Sequence, residues 1–277
     1  MCQARSGDFR PALPVAAAVE LVYNFTLVHG EVQAGRVDAQ DRPSIWWVWG
    51  PAQAINAGDG LHALGRAAIM RLSQHSVPAP LVLEAVKALD RACLTLCEGQ
   101  YLDLTFRDQL MVTAGDYYDM IERKSGALAG CAAALGALVS GAADSEVKEF
   151  QRAGSRLGMA WQVARDINDL WGPGGDGFTA SNVLNKKKSL PLIYALETAS
   201  IAVRRELGNF YLKRVLEPAD VSRIIAILAE VGARQFAESR ARELRDQSME
   251  ALGDAGLSQA QLAALEPLTQ WALEGRP

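Results

Sequence analysis

Strand-like alternation of apolar and polar residues is nearly absent from this 277-residue chain, which argues against a sheet-based domain. No segment repeats with a period of about 20–50 residues, so a solenoid is excluded. Histidine is scarce, at three residues, and His29 and His62 have no metal-ligand partners at useful spacing. They read as structural or cavity-lining. The four cysteines, Cys2, Cys93, Cys97 and Cys131, lack zinc-finger spacing. Cys93 and Cys97 stand one helical turn apart in an apolar pattern and read as reduced core residues. An excess of positive charge is also missing: a formal net charge of −4 argues against general nucleic-acid binding. No apolar stretch reads as both long enough and uncharged enough to cross a bilayer, so no transmembrane segment is expected. No basic leader precedes an apolar block, and a cytoplasmic location is expected.

What remains is helix after helix. Apolar residues recur at three- and four-residue spacing over 14–29, 53–74, 80–98, 107–140, 145–171, 190–207, 218–252 and 259–273. Runs rich in Gly, Pro and Asp punctuate them: VDAQDRP (37–43), HSVPAP (75–80), GAADS (141–145) and GPGGDG (172–177). The alanine- and glycine-rich run 127–143 reads as a closely packed core helix. Hydrophobic residues make up 49% of the chain, enough for one domain over 1–277. The expected class is all-α, a helical bundle around a central cavity.

The most informative stretch is GMAWQVARDINDLWG (158–172). Residues three and four apart share a helix face, so Gln162, Asp166 and Asp169 point the same way. Two carboxylates one turn apart can hold a hard cation such as Mg²⁺, which prefers oxygen ligands and keeps waters that a phosphate can replace.

Five further stretches stand in order around it: LVYNFTLVHGEV (21–32), RPSIWWVWGPAQAINAGDGL (42–61), EGQYLDL (98–104), YYDMIERKSGAL (117–128) and NKKKSLPLIYAL (185–196). Together with the 158–172 helix they resemble the trans-type polyprenyl (isoprenyl) diphosphate synthases over most of the chain. The resemblance implies an isoprenoid-synthase-type helical bundle. It also implies chemistry in which Mg²⁺, held by aspartate-rich motifs on opposing helices, neutralises a departing diphosphate. The allylic carbocation left behind is attacked by isopentenyl diphosphate in an apolar cavity closed to water.

Against that pattern the chain departs sharply. The second motif, roughly Phe-Gln-x-x-Asp-Asp-x-x-Asp in the family, is met here by Trp161, Gln162, Arg165, Asp166 and Asp169, so its first aspartate has become arginine. The first motif, Asp-Asp-x-x-Asp after the His of TLVH, is met by Gly30, Glu31, Val32, Gln33 and Ala34. One carboxylate stands where three are expected. Asp38 and Asp41 share a three-residue spacing that offers stand-in ligands, but a solvated turn before Pro43 is the preferred reading. Ala39, Gln40 and Asp41 replace the family's two arginines and glycine. The chain also begins at what resembles the family's second or third helix, and the Gly-Lys-x-x-Arg-Pro element has no counterpart.

Other positions match. Lys124 and Ser125 correspond to the family's diphosphate-contacting Lys-Thr/Ser pair, and Lys187 or Lys188 falls where another phosphate-facing lysine is expected. Gln162, Asp166 and Asp169 retain donors for one Mg²⁺, fewer ions than in the active family. Arg165 either contacts a diphosphate directly with its fork of donors or pairs with Glu31 across the cavity. Phe25, five residues before the first-motif position, is either the bulky floor that limits product length or a plain core aromatic. Trp46, Trp47 and Trp49 cannot all face one core, so at least one is expected at the surface or a subunit contact. Two functions follow. The preferred one is a catalytically degenerate partner subunit of an intact prenyl diphosphate synthase, with a homodimer otherwise and an isoprenyl diphosphate as ligand. The other is an atypical Mg²⁺-dependent prenyltransferase or terpene cyclase-like enzyme acting on an allylic diphosphate.

Overall fold

The structure is a computed structural model that describes the chain except residues 36, 40–41, 76, 110, 173–180 and 276–277. Its helices are α1 (Cys2–Ser6), α2 (Leu13–Ala34), α3 (Ile45–Trp49), α4 (Pro51–Met70), α5 (Ala79–Thr105), α6 (Ala114–Ile121), α7 (Ala127–Val139) and α8 (Asp144–Trp171). They continue with α9 (Ser181–Leu184), α10 (Leu190–Thr198), α11 (Ile201–Leu212), α12 (Pro218–Glu230), α13 (Ala233–Asp254) and α14 (Gln259–Glu274). A two-residue hairpin, β1 (Asp38–Ala39) against β2 (Arg42–Pro43), is the one sheet among the described residues. The chain is all-α, as its periodicity predicts.

Three predicted helices are divided. The 107–140 span begins only at Ala114, because Thr113 caps α6 by accepting from the Asp116 N–H while the Asp116 carboxylate accepts from the Thr113 N–H. The same span then widens into one π-helical turn at Glu122–Gly126 before α7. The 190–207 span breaks before Ser200, which caps α11, and the 218–252 span breaks at Gly232, whose φ of 77° is left-handed. The expectation about membrane-spanning length is corrected. Arg10–Ala34 is helical throughout, holds an 18-residue stretch of mean hydropathy 1.4, and is long and apolar enough to cross a bilayer by length and composition. Here Val15, Ala18 and Val22 on that helix pack into a core cluster with Ile69, Leu72, Leu89, Cys93 and Leu135.

Small residues set the position of α8. A Cβ on Gly154 would lie 2.5 Å from the Ala129 carbonyl oxygen, and one on Gly158 would lie 2.5 Å from that of Ser125. Glycine at both places lets α8 pack directly on α7 and the π-helical turn, bringing Gln162 beside Ser125. Gly99 on α5 does the same from the other side, since a Cβ there would meet the Lys124 backbone nitrogen at 2.4 Å. The widened turn is thus held between α5 and α8, with Lys124 directed at the polar end of the bundle. Cys93 and Cys131 are buried, but Cys97 is exposed, contrary to the core assignment. It shares the outer face of α5 with Leu94 and Tyr101, each 68% exposed. Trp47 and Trp49 are exposed as well, while Trp46 is half-buried and stands edge-on to Trp47.

Candidate functional site

Asp103 on α5, Tyr117 and Met120 on α6, Lys124 in the π-helical turn, Gln162 and Asp166 on α8, and Lys187, Lys188 and Ser189 before α10 line one polar cleft. The void between them is about 10 Å³, room for about one water. Two hydrogen-bonded groups fill the rest.

The first is built on Asp103, which is 6% exposed. Lys124 Nζ donates to it at 2.6 Å and Lys187 Nζ lies 3.3 Å away. Burial pushes the Asp103 carboxyl up, but the attraction of Lys124 and Lys187 outweighs it and holds the group well below the usual carboxylate range. At Lys124 the balance falls the other way. Burial and repulsion by Lys187 together exceed the pull of Asp103, and the ammonium is lowered to about 8. Lys188 donates to the Arg107 carbonyl oxygen at 3.2 Å and stands 4.9 Å from the centre of the Tyr211 ring. Lys186 instead reaches the Lys213 carbonyl. Of the three lysines, the last two face the cleft.

The second group is built on Asp166, which is 4% exposed. Its Oδ2 accepts from the Tyr117 hydroxyl at 2.8 Å, and its Oδ1 accepts from Gln162 at 3.1 Å and Asn182 at 3.4 Å. Gln162 is oriented in turn by Ser125, whose hydroxyl donates to Oε1 at 2.9 Å. Burial raises the Asp166 carboxyl, with Lys187 and Tyr117 pulling it back. Asp169, one turn on, accepts from the Asn182 backbone N–H at 2.8 Å.

The residues at the first-motif position lie elsewhere. Glu31 is buried at the end of α2, where its Oε2 accepts from the Ile45 N–H at 3.3 Å and its Oε1 lies 3.6 Å from Arg42. It therefore caps the start of α3. That corrects one expectation for Arg165: Glu31 pairs with Arg42, and the Arg165 guanidinium sits over the Trp161 ring, 4.8 Å from its centre. Gly30 and Ala34 bring no donor. Asp41 lies outside the described residues, so the Asp38–Asp41 pair is not placed. Phe25 is half-buried between His29 and His62, edge-on to both rings at 5.1 and 5.4 Å, and is not among the residues lining the polar cleft. His29 is further tied to the Ile55 carbonyl at 3.1 Å.

Magnesium fits this arrangement poorly. No three carboxylate, His or Cys groups converge on a common point among the described residues. Both Asp166 oxygens already accept hydrogen bonds, and α2 supplies no opposing carboxylate. Chemically, the cleft sets two ammonium groups, Lys124 and Lys187, on one buried carboxylate, Asp103, with Lys188 on the same wall. Asp103 and Tyr117 are residues of the cleft that the sequence pattern does not single out, although both lie in stretches, EGQYLDL and YYDMIERKSGAL, that stand out in the sequence. Nothing in the sequence marks Asn182.

The all-α bundle is of the isoprenoid-synthase type. The model of the polyprenyl synthetase family matches residues 1–228, and this chain belongs to that family. It is 38% identical over 251 residues to a geranylgeranyl diphosphate synthase of Mycobacterium tuberculosis, covering 90% of this chain and 71% of that protein. It is 33% identical over 242 residues to a geranylgeranyl pyrophosphate synthase of Geoglobus acetivorans, covering 87% and 73%. The crystal structure of geranylgeranyl pyrophosphate synthetase from Pyrococcus horikoshii superposes with a TM-score of 0.88 at 27% identity, over 100% of this chain and 83% of that one.

Proposed function

We propose that this chain holds an isoprenyl diphosphate without ionising it at an ordinary enzymatic rate, and acts as a partner subunit that modulates an intact prenyl diphosphate synthase. The observation that carries the reading is the engagement of Glu31. The one carboxylate left at the first-motif position is buried against Ile45 and Arg42, so that position presents no free carboxylate to a metal. Loss of a charge-stabilising group lowers rates by on the order of 10²–10³ each, and several are gone at once. The cleft retains what binding needs. Lys124, Lys187 and Lys188 supply positive charge, Gln162 a further polar contact, and the surrounding apolar helices a dry wall. The names of the relatives support an allylic diphosphate as the ligand class. Free cysteines, three of them buried, are in keeping with a cytoplasmic home. A homodimer is the alternative assembly where no synthase partner is present.

A second reading, an atypical Mg²⁺-dependent prenyltransferase or cyclase-like enzyme, is favoured by one observation: Asp166 lines the cleft and Asp169 follows it one turn on along α8. Incubating the purified chain with Mg²⁺ and allylic diphosphates of five to twenty carbons, with and without isopentenyl diphosphate, separates the two. The expected result is ligand binding with no product, and a shifted product length when the chain is added to an intact synthase. Ordinary turnover that Asp166→Ala abolishes would sink the partner-subunit reading.

A further inference from the structure

Ile201, Arg205, Gly208 and Leu212 are spaced four, three and four residues apart on α11, so they share one face of that helix. That face points away from the body of the protein. Leu207 is buried on the other side, where Val203, Phe210 and Tyr211 pack against the core around Leu170, Leu192 and Ile224. Ile201 and Leu212 are 73% and 71% exposed, and Val215, just beyond the helix, is 73% exposed. Arg204, Arg205 and Arg214 stand exposed among them. Residues 201–216 carry Arg204, Arg205, Lys213 and Arg214 against one carboxylate, Glu206, in a chain whose formal net charge is −4. Arg223 donates to Glu206 at 2.8 and 3.3 Å, and Lys213 donates to Asp220 at 2.8 Å. Among the described residues, no carboxylate pairs with Arg204, Arg205 or Arg214. Three aliphatic side chains and three unpaired guanidinium groups therefore share one surface.

We propose that the outer face of α11 and residues 213–215 dock this protein on an anionic lipid surface. The charge is of the right sign, and it is concentrated here against the net charge of the chain. The aliphatic groups decide between lipid and an acidic protein. Ile201 and Leu212 lie about 16 Å apart along the helix, with arginines between them rather than on a separate face. The outer layer of a bilayer meets both kinds of group within about 5–10 Å of depth, phosphates above and the acyl boundary below. Arginine stems lie along that boundary while their heads stay among the phosphates. An acidic protein surface would satisfy the arginines and leave the aliphatic groups against polar atoms. The same helix is tied to the lysine cleft. Its inward-facing Tyr211 ring lies 4.9 Å from Lys188 Nζ, and the Lys213 carbonyl accepts from Lys186, the neighbour of Lys187. Docking thus brings the lysine segment toward the layer where the charged end of a lipid-dissolved isoprenyl diphosphate lies. That last step rests on the binding reading above; the docking itself does not.

Co-sedimentation of the full chain with lipid vesicles tests it, with no metal or diphosphate present. Phosphatidylcholine vesicles containing about one-third phosphatidylserine are expected to bind the chain at least about tenfold more tightly than phosphatidylcholine alone. Arg204→Gln combined with Arg205→Gln should weaken that binding about 25-fold, at about fivefold for each basic residue. Ile201→Ser combined with Leu212→Ser should weaken it about tenfold or more, with circular dichroism checking that each variant folds. Arg71→Gln combined with Arg91→Gln, which alters exposed arginines elsewhere, should leave binding within about twofold of the wild type. Failure of anionic vesicles to retain the chain overturns the proposal. So does an equal loss from the Arg71 and Arg91 substitutions, which would make the attraction unspecific. Binding to soluble polyglutamate as tight as to vesicles, with the serine substitutions without effect, overturns it in favour of an acidic protein partner. Product formation is not measured in any arm, so the outcome is separate from the turnover test.

Discussion

Replacing Asp103 by asparagine removes the one negative charge between Lys124 and Lys187 while keeping the side chain's size. Both lysines keep only 22% of their side chains exposed, so neither can simply swing into water. The least costly response is for Lys124 to release its proton. From a starting value of about 8, neutralising Lys124 at pH 7 costs about 1.4 kcal/mol, and the lost charge-assisted hydrogen bond adds about 1 kcal/mol. A total of about 2–3 kcal/mol corresponds to a fall in Tm of about 4–9 °C for a chain of this size. The pH dependence carries the diagnostic sign. A lysine whose folded pKa lies below its unfolded value binds fewer protons folded than unfolded, so its contribution to stability rises with pH. In Asp103→Asn the folded value drops further, and the variant gains more from rising pH than the wild type does. Thermal unfolding at pH 6, 7 and 9 should show the widest gap at pH 6, near 3–4 kcal/mol by the same reasoning, and only the hydrogen-bond part, about 1 kcal/mol, at pH 9. A gap that is independent of pH, or that widens above pH 8, refutes the assignment of the defect to Lys124.

Two further substitutions separate structural roles from binding roles. Glu31→Gln should lower stability by only about 1 kcal/mol in chemical denaturation, because it weakens one helix cap and a pair whose arginine is 47% exposed, and it should leave Mg²⁺ titration heats unchanged. Asp166→Asn should hold or raise stability at pH 7 by roughly 1 kcal/mol, since an amide can still accept from Gln162 while donating to Tyr117 and the buried charge is gone. The same variant should weaken any metal-assisted diphosphate binding seen by calorimetry, and a loss of stability above about 2 kcal/mol would contradict this account of Asp166.

The sequence made the helices legible because their buried faces repeat at helical spacing, and it made Gln162, Asp166 and Asp169 legible because their geometry is local to one helix. What it hid is non-local. Tyr117 and Asp166 are 49 residues apart, and Lys124 and Asp103 are 21 apart, so no periodicity joins them. The start of α6 is obscured in the sequence even though Thr113 and Asp116 carry the capping-box spacing, because the apolar pattern of 107–112 continues across the boundary. The π-helical turn has no comparable signature. It follows from the close approach of Gly99 and Gly158, glycines on two other helices, to the backbone at Lys124 and Ser125. Arg165 shows the same limit. Charge alone points Arg165 to a diphosphate or to Glu31, whereas Glu31 pairs with Arg42 and the guanidinium lies over the Trp161 ring.

The substitutions at 30, 34 and 165 are connected by electrostatics. Carboxylates at adjacent positions 165 and 166, roughly 6 Å apart, repel by about 3 kcal/mol at an effective dielectric of about 20. Metal ions shared with the opposite helix offset that repulsion, and without ligands at Gly30 and Ala34 the offset is lost. A carboxylate at 165 would then burden Asp166, which burial already raises. Arginine at that position removes the repulsion and places a cation over the Trp161 ring. The lysine cleft beyond is unaffected, because Lys124, Lys187 and Lys188 are oriented by Asp103, Arg107 and the π-helical turn, none of which depends on α2. The two halves of the site are therefore separable. A chain can lose the half that would ionise a diphosphate and keep the half that would hold one.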